Sequence, residues 1–327
     1  MSDTMHVSGA VQPRSPHQLC LDENEPAAEA MRSDARVPGA FVHRPVLDDI
    51  LVTSWHRVDD RHFSLTARWP HDHGYFAPDH SRHPLILTAE TIRQAGLLLS
   101  HAELGVPVGH HFILGDLVFT THPERLAGDG GPTSLTIDVA CSDLRMRAGA
   151  LTEGRFDMTV RSAGRTVATG YSHVTVTSPA VYRRIRGERL TARHSAAPVP
   201  PCVPPRLTGS ATERDVLLSP TDRPDRWLLR IAPGHAAVVN PANDHVPGMA
   251  LIDAAQQAAY ALTAPDSFVP YALGTEFHRY AEHGTPCVIE ARRVPSASPG
   301  TTTVEVTGLQ DGEPVFVSTL TAPAGRG

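Results

Sequence analysis

A shift of 163 positions lays "LTAETIRQA" (residues 87–95) over "ALIDAAQQA" (residues 250–258) without a gap. The same register puts Pro78 on Pro241, Pro84 on Pro247, Glu90 on Asp253, Gln94 on Gln257 and Ala95 on Ala258. Both stretches read as helices that are apolar on most sides, each carrying an acid and a Gln four residues apart. Strand-like segments recur around them in the same order. In the first half "ILVTSWHRV" and "HFSLTARW" precede the helix, and "HFILGDLVF", "SLTIDVAC", "RFDMTV" and "TVATGYSHVTVT" follow it. In the second, "RWLLRIA" and "AAVVN" precede "MALIDAAQQAAYALT", and "VPYALGTEF", "CVIEARRV", "TTTVEVTG" and "PVFVSTLT" follow. Alternation and β-branched or aromatic content mark these as strands. A repeat of this length is one supersecondary package copied. A helix apolar nearly all round needs wrapping, and an antiparallel sheet curled around it supplies that.

The sequence therefore predicts an α+β chain of two docked units, each a sheet around a long central helix. The first helix is expected from about Thr88 to Leu104, stopped by Gly105 and Pro107. Residues 1–38 are polar and aperiodic and read as a mobile tail. The first unit spans 39–178 and the second 216–323. Between them, 179–215 is a junction holding "YRRIRGERLTAR" and then "PVPPCVPP", whose five prolines in eight residues favour extended structure.

Composition removes several function classes. The net charge of −6 argues against general nucleic-acid binding. No apolar run reaches transmembrane length, and the start lacks a secretory h-region, so cytoplasm is the expected compartment and a membrane is not an expected partner. All 29 basic residues are Arg. A Lys Schiff base, pyridoxal phosphate on a Lys, and a P-loop are thereby excluded, and no GxSxG elbow is present. Cys20, Cys141, Cys202 and Cys287 are scattered, without zinc or disulfide spacing; Cys141 and Cys287 read as inert, strand-borne thiols. The loop "HDHGYFAPDHSRH" gathers His71, His73, His80 and His83 with Asp72 and Asp79 but lacks a helical ligand register. No metal and no cofactor is expected. Chemistry falls to Glu, Asp, His, Arg and backbone dipoles.

The stretches "VHRPVLDDILVTSW", "YFAPDHSRHPLILTAETIRQAGLLLSHAELGVPVGHHFILGDLVF" and "HVPGMALIDAAQQA" resemble the AfsA (A-factor biosynthesis) family over most of residues 40–321. The resemblance implies a tandem pair of hotdog domains. It also implies a transferase that joins a β-ketoacyl chain, carried as a thioester on acyl carrier protein or CoA, to the hydroxyl of dihydroxyacetone phosphate. The product would lead to a γ-butyrolactone or furan signal that controls antibiotic production. The family's acid and Arg on the central helix match Glu90 and Arg93. Its usual second Glu-x-x-Arg is here Asp253 and Gln256, so the positive charge is missing from the second half. A second copy of the chain is a further partner compatible with this reading.

Glu90 and Arg93, three apart, share a helix face. A surface ion pair is the plain reading, but Arg93 has the apolar neighbours Ile92, Ala95, Leu98 and Leu99, and a buried charge needs a partner or a purpose. In the catalytic reading Glu90 takes the proton from the attacking hydroxyl, and Arg93 holds Glu90 ionised or grips the acceptor phosphate. Free N–H groups near Leu87 or Gly248 would polarise the thioester carbonyl. Asp253 is either catalytic or a helix cap. His83, Gln94, Gln256, Gln257 and Arg279 are candidate substrate contacts. Arg183, Arg184, Arg186, Arg189 and Arg193 read either as a solvated linker or as a surface for an acidic carrier or a pantetheine phosphate. A hotdog dehydratase would need a His fourteen residues before each helix acid; those positions hold Phe76 and Val239. Rival readings are another thioester enzyme of this fold and a non-catalytic acyl or lactone sensor.

Overall fold

A computed structural model describes residues 37–76, 84–125, 131–191, 199–232, 235 and 243–324. The tail expected over 1–38 lies outside them apart from Val37 and Pro38. In chain order the elements are α1 (Gly39–Val42), β1 (Val52–Arg57), β2 (His62–Trp69), α2 (Pro84–Ala102), β3 (His111–Thr121), β4 (Thr133–Arg147), β5 (Ala150–Ser162) and β6 (Arg165–Thr177). There follow α3 (Pro179–Arg186), α4 (Pro205–Thr208), β7 (Leu218–Pro220), β8 (Arg226–Leu229), β9 (His245–Val246) and α5 (Gly248–Thr263). The chain closes with β10 (Ala272–Phe277), β11 (Ala281–Glu282), β12 (Val288–Val294), β13 (Thr301–Gln310) and β14 (Glu313–Pro323). The strand-like "AAVVN" lies outside the described residues.

Among the described residues, twelve strands form one antiparallel sheet in the order β1-β2-β4-β5-β6-β3-β10-β14-β13-β12-β8-β7. This order is a mirror. From either edge come the two strands before a helix, then the three later ones, then the strand directly after the helix. The halves join where β3 pairs with β10, from Thr120 opposite Ala272 to Asp116 opposite Glu276. The tandem hotdog is thus a single sheet with a pseudo-twofold at its centre, and one helix packs inside each half.

The sheet's period of two supplies the inner walls: Phe63, Leu65, Ala67 and Trp69 on β2, and Leu135, Ile137, Val139 and Cys141 on β4, are all buried. Around α2 the burial is nearly total. Every residue from Leu85 to His101 is buried except Arg93. Each large aliphatic side chain so enclosed contributes about 1.5–3 kcal/mol. The helix starts at Pro84, earlier than the expected Thr88, because Pro fits the first helical position, where its missing N–H has no intrahelical partner. It ends as expected at Gly105, which takes φ +69 while Val106 N–H returns to Ser100 O at 3.0 Å. A Cβ on Gly105 would lie 2.3 Å from Gly149 O.

The junction holds more structure than its composition suggested. Ser178 Oγ accepts from Val181 N–H, Pro179 opens the turn, and three Arg in the last turn of α3 suit its negative end. Arg186 is buried, while Arg183, Arg184 and Arg189 are exposed. The Pro-rich run stays extended beside β7, with Val203 N–H donating to Leu218 O and Ser219 Oγ–H to Pro201 O. No helix among the described residues is long and apolar enough to cross a membrane.

Candidate active site

Arg93, the one residue of the α2 core stretch that is not buried, opens onto a cavity of about 600 Å³ at the seam between the halves. Beneath it lies Glu90, with no exposed surface. Glu90 Oε1 accepts from Arg44 Nε at 2.8 Å, Arg93 Nη2 at 2.8 Å and Gln94 Nε2 at 2.6 Å, and Oε2 accepts from Arg93 Nε at 2.9 Å. Burial alone would push this carboxyl up. Arg93 and Arg44 outweigh it and hold the group down at about 2. Glu90 is therefore an ionised anchor for two guanidiniums, and the cavity meets the guanidiniums rather than the carboxylate. A general base needs an accessible lone pair and an affinity for protons near the working pH, and this geometry gives Glu90 neither.

The opposite wall is the start of α5, formed by Pro247, Gly248 and Met249. Ala250 N–H and Leu251 N–H turn back to Pro247 O. Those of Gly248 and Met249 have no acceptor among the described residues, so two donors and the positive helix end face the space opposite Arg93. Several imidazoles complete the wall. His43 sits at φ +54, unusual for a residue with a Cβ, and its Nε2 lies 3.1 Å from Nε2 of His101. His101 Nδ1 faces Val106 O at 2.8 Å, so Nδ1 carries the proton and His43 Nε2–H donates. Burial of the His43 ring, then the positive charge of Arg93, pull its pKa down to about 4. His111 stacks on Tyr182 with ring centroids 3.6 Å apart.

The pseudo-twofold generates a second position, built from α5 side chains and the start of α2, and there the space is nearly closed. About 30 Å³ remains between Tyr75, Ile86, Gly209, Asp253, Gln256 and Tyr260, room for roughly one water. Tyr75 O–H reaches across the seam to Asp253 Oδ2 at 2.7 Å, and Gln256 Nε2 donates to Tyr260 Oη at 3.0 Å. Where the first half has an Arg facing a cavity, the second has an amide against a phenol.

The A-factor biosynthesis hotdog domain matches residues 27–178 and 191–324 of the chain. A 2-oxo-3-(phosphooxy)propyl 3-oxoalkanoate synthase of Streptomyces coelicolor is 46% identical, over 89% of this chain and 93% of its own. The synthase of the same name from Streptomyces griseus is 42% identical, over 88% and 95%. The chain belongs to the AfsA family. Its fold is also that of an oleoyl thioesterase (putative) from Lactobacillus plantarum, at a TM-score of 0.51 and 14% identity over 83% of this chain and 99% of that one. At that identity the likeness speaks for the fold alone.

In this AfsA-family chain the residues singled out from the sequence fall into three groups. Glu90, Arg93 and Gly248 meet around the large cavity. Gln94 and Gln257 do not reach it. Gln94 Nε2 donates to Asp49 O and Glu90, and its Oε1 accepts from Leu51 N–H at 2.8 Å. Gln257 Nε2 donates to Asp215 O and Asp253, and its Oε1 accepts from Leu217 N–H at 2.8 Å. Both amides are consumed in tying the segment before the first strand of each unit to the helix, which leaves none of their atoms for a substrate. Asp253 and Gln256 border only the small space described above. Arg279 is exposed on a neighbouring cavity of about 460 Å³ that shares Phe112, Leu114, His245 and Gly248 with the first. His83 lies outside the described residues, as do Asp79, His80 and Arg193.

No group of His, Cys, Asp and Glu among the described residues can hold a metal. His73 is instead a structural bridge: its Nδ1 accepts from Tyr75 and Phe76 N–H, and its Nε2 meets Asp49 Oδ1 at 3.1 Å. Burial pushes the Cys141 and Cys287 thiols up to about 12, which makes both unreactive. Arg44, His43 and His245 line the cavity without having been singled out in the sequence. Arg44 stands 46 residues from the carboxylate it contacts, beyond any local pattern.

Proposed function

We propose that this chain joins a 3-oxoalkanoyl group, delivered as a thioester, to the hydroxyl of dihydroxyacetone phosphate, giving a 2-oxo-3-(phosphooxy)propyl 3-oxoalkanoate. The observation that carries this reading is the pair of guanidiniums, Arg93 and Arg44, on one wall of a 600 Å³ cavity whose other wall is the open start of α5. Planar guanidiniums suit a phosphate, and Glu90 beneath them fixes their planes before any ligand arrives. The thioester carbonyl then lies against Gly248 and Met249, whose N–H groups stabilise the oxyanion formed when the hydroxyl attacks. The neighbouring 460 Å³ cavity, which shares His245 and Gly248 with the first, accommodates the acyl chain. Asp253 and Gln256 hold the closed counterpart together.

Purified protein is incubated with a 3-oxoacyl thioester, as the CoA and as the carrier-protein form, with and without dihydroxyacetone phosphate. Mass spectrometry should find the phosphorylated ester only when the acceptor is present. Arg93→Ala should raise the acceptor KM by at least about tenfold, the loss of a charge-assisted contact of about 1.5–3 kcal/mol. Thioester hydrolysis independent of the acceptor, with no ester from either donor, would show a different thioester enzyme.

A further inference from the structure

The transfer needs a group to take the hydroxyl proton, and Glu90 is closed off from that task. The cavity wall carries four imidazoles, His43, His110, His111 and His245, and of these only the His245 ring is hydrogen-bonded to a carboxylate among the described residues. His43 donates from Nε2 and stands beside the positive charge of Arg93, which opposes its taking a proton. His245 is placed in the opposite way. It forms β9, directly ahead of Pro247 and the open N–H groups of Gly248 and Met249, and its ring lines both cavities.

Behind the ring is Asp244, a carboxylate with three donors. Tyr182 O–H reaches Oδ1 at 2.7 Å, His245 Nδ1 lies 2.9 Å from the same oxygen, and Arg186 Nε donates to Oδ2 at 2.5 Å. Burial would raise this carboxyl, but the hydrogen bonds from Arg186, Tyr182 and His245 hold it at about 2, so it is ionised. An ionised acid accepts only, which places the His245 proton on Nδ1 and a lone pair on Nε2. Nε2 has no partner among the described residues. Arg186 is itself locked in place: its two terminal nitrogens pair with Glu282 at 2.7 Å each, and its guanidinium lies 4.4 Å over the Tyr280 ring. A buried Arg with this many partners is a device for holding Asp244 still.

We propose that His245 is the general base of the transfer, oriented by Asp244, with Tyr182 and Arg186 of α3 as positioning residues. The proposal rests on the acyl-transfer reading above. Nε2 takes the hydroxyl proton as the acceptor oxygen bonds to the thioester carbon, and the carbonyl electrons move to the oxygen facing Gly248 and Met249. Collapse of that adduct breaks the C–S bond, and the imidazolium, balanced by Asp244, returns its proton to the departing sulfur. The Arg-rich junction thus acquires a purpose, since α3 carries the residues that aim a base in the second half.

The test uses the full chain and the ester assay described above. His245→Ala should lower kcat about 10²–10⁴-fold, the usual contribution of a positioned base, with the acceptor KM little changed. Added imidazole should restore part of that rate in His245→Ala and leave the wild-type rate alone, a response no merely structural role produces. His245→Gln keeps a donor to Asp244 but supplies no base, and it serves if the Ala variant melts early. Ester formation at the wild-type rate by a folded His245→Ala or His245→Gln chain overturns the proposal and leaves the acyl-transfer reading standing. No ester from the wild-type chain overturns that reading, and this proposal with it.

Discussion

A single carboxylate, Glu90, fixes the side chains of Arg44, Arg93 and Gln94 in the first half. It accepts four hydrogen bonds from them and has no exposed surface. Glu90→Gln keeps the shape but leaves two guanidiniums facing a neutral amide. Breaking one partner out of such a buried cluster costs about 3–5 kcal/mol, which a urea melt at pH 7 should show. The sign of the pH effect follows from the lowered pKa. Folded Glu90 titrates at about 2 against 4.5 for the free side chain, so its stabilisation is complete above about pH 4.5 and is lost as pH falls through about 2. The gap in stability between wild type and Glu90→Gln should therefore shrink with acidification over that window. A gap that widens, or a Gln variant as stable as wild type at pH 7, would contradict the anchoring role. From the sequence, the shared face of Glu90 and Arg93 was legible because three-residue spacing is local. Arg44 and the closure of Glu90 by it were not, since they depend on how α1 folds back over α2.

At the scale of elements, the two helices carry the same internal fastening. Gln94 and Gln257 each clamp a backbone N–H and a backbone carbonyl of the segment entering the first strand of their unit. The two clamps are direct counterparts, so their removal should have like consequences. Gln94→Leu and Gln257→Leu each strand a buried N–H, of Leu51 and of Leu217, at a cost of about 1–3 kcal/mol apiece. Thermal melts of the two variants check this, and a loss confined to one half would break the equivalence. The gapless register of acid and Gln was visible because nothing is inserted between the prolines and the helices. The clamped strands are offset by 166 positions rather than 163, and that small insertion hides their correspondence from any single shift. Junction helix α3 was hidden for another reason. Its Arg content reads as solvated until the partners of Arg186, which are 58 and 96 residues away, are in view.

For the molecule as a whole, duplication made two equivalent places and the chain kept one of them open. The mirror order of the sheet sets the start of α5 against Arg93, and the start of α2 against Gln256. In the first place an Arg over a Glu faces about 600 Å³; in the second, Tyr75 and Tyr260 fill the space beside a shorter acid, and Gln256 stands at the position that matches Arg93. A phosphorylated acceptor requires volume, and the second place has room for roughly one water. Calorimetric titration of the full chain with dihydroxyacetone phosphate should therefore give one site per chain, and Arg93→Ala should weaken that binding by at least about tenfold. Tyr75→Ala should not create a second site, because removing a phenol opens space without adding the guanidinium that a phosphate needs. Two equivalent sites in the wild-type titration would mean that the pseudo-twofold is functional as well as structural, and the assignment of the acceptor to Arg93 and Arg44 alone would fall.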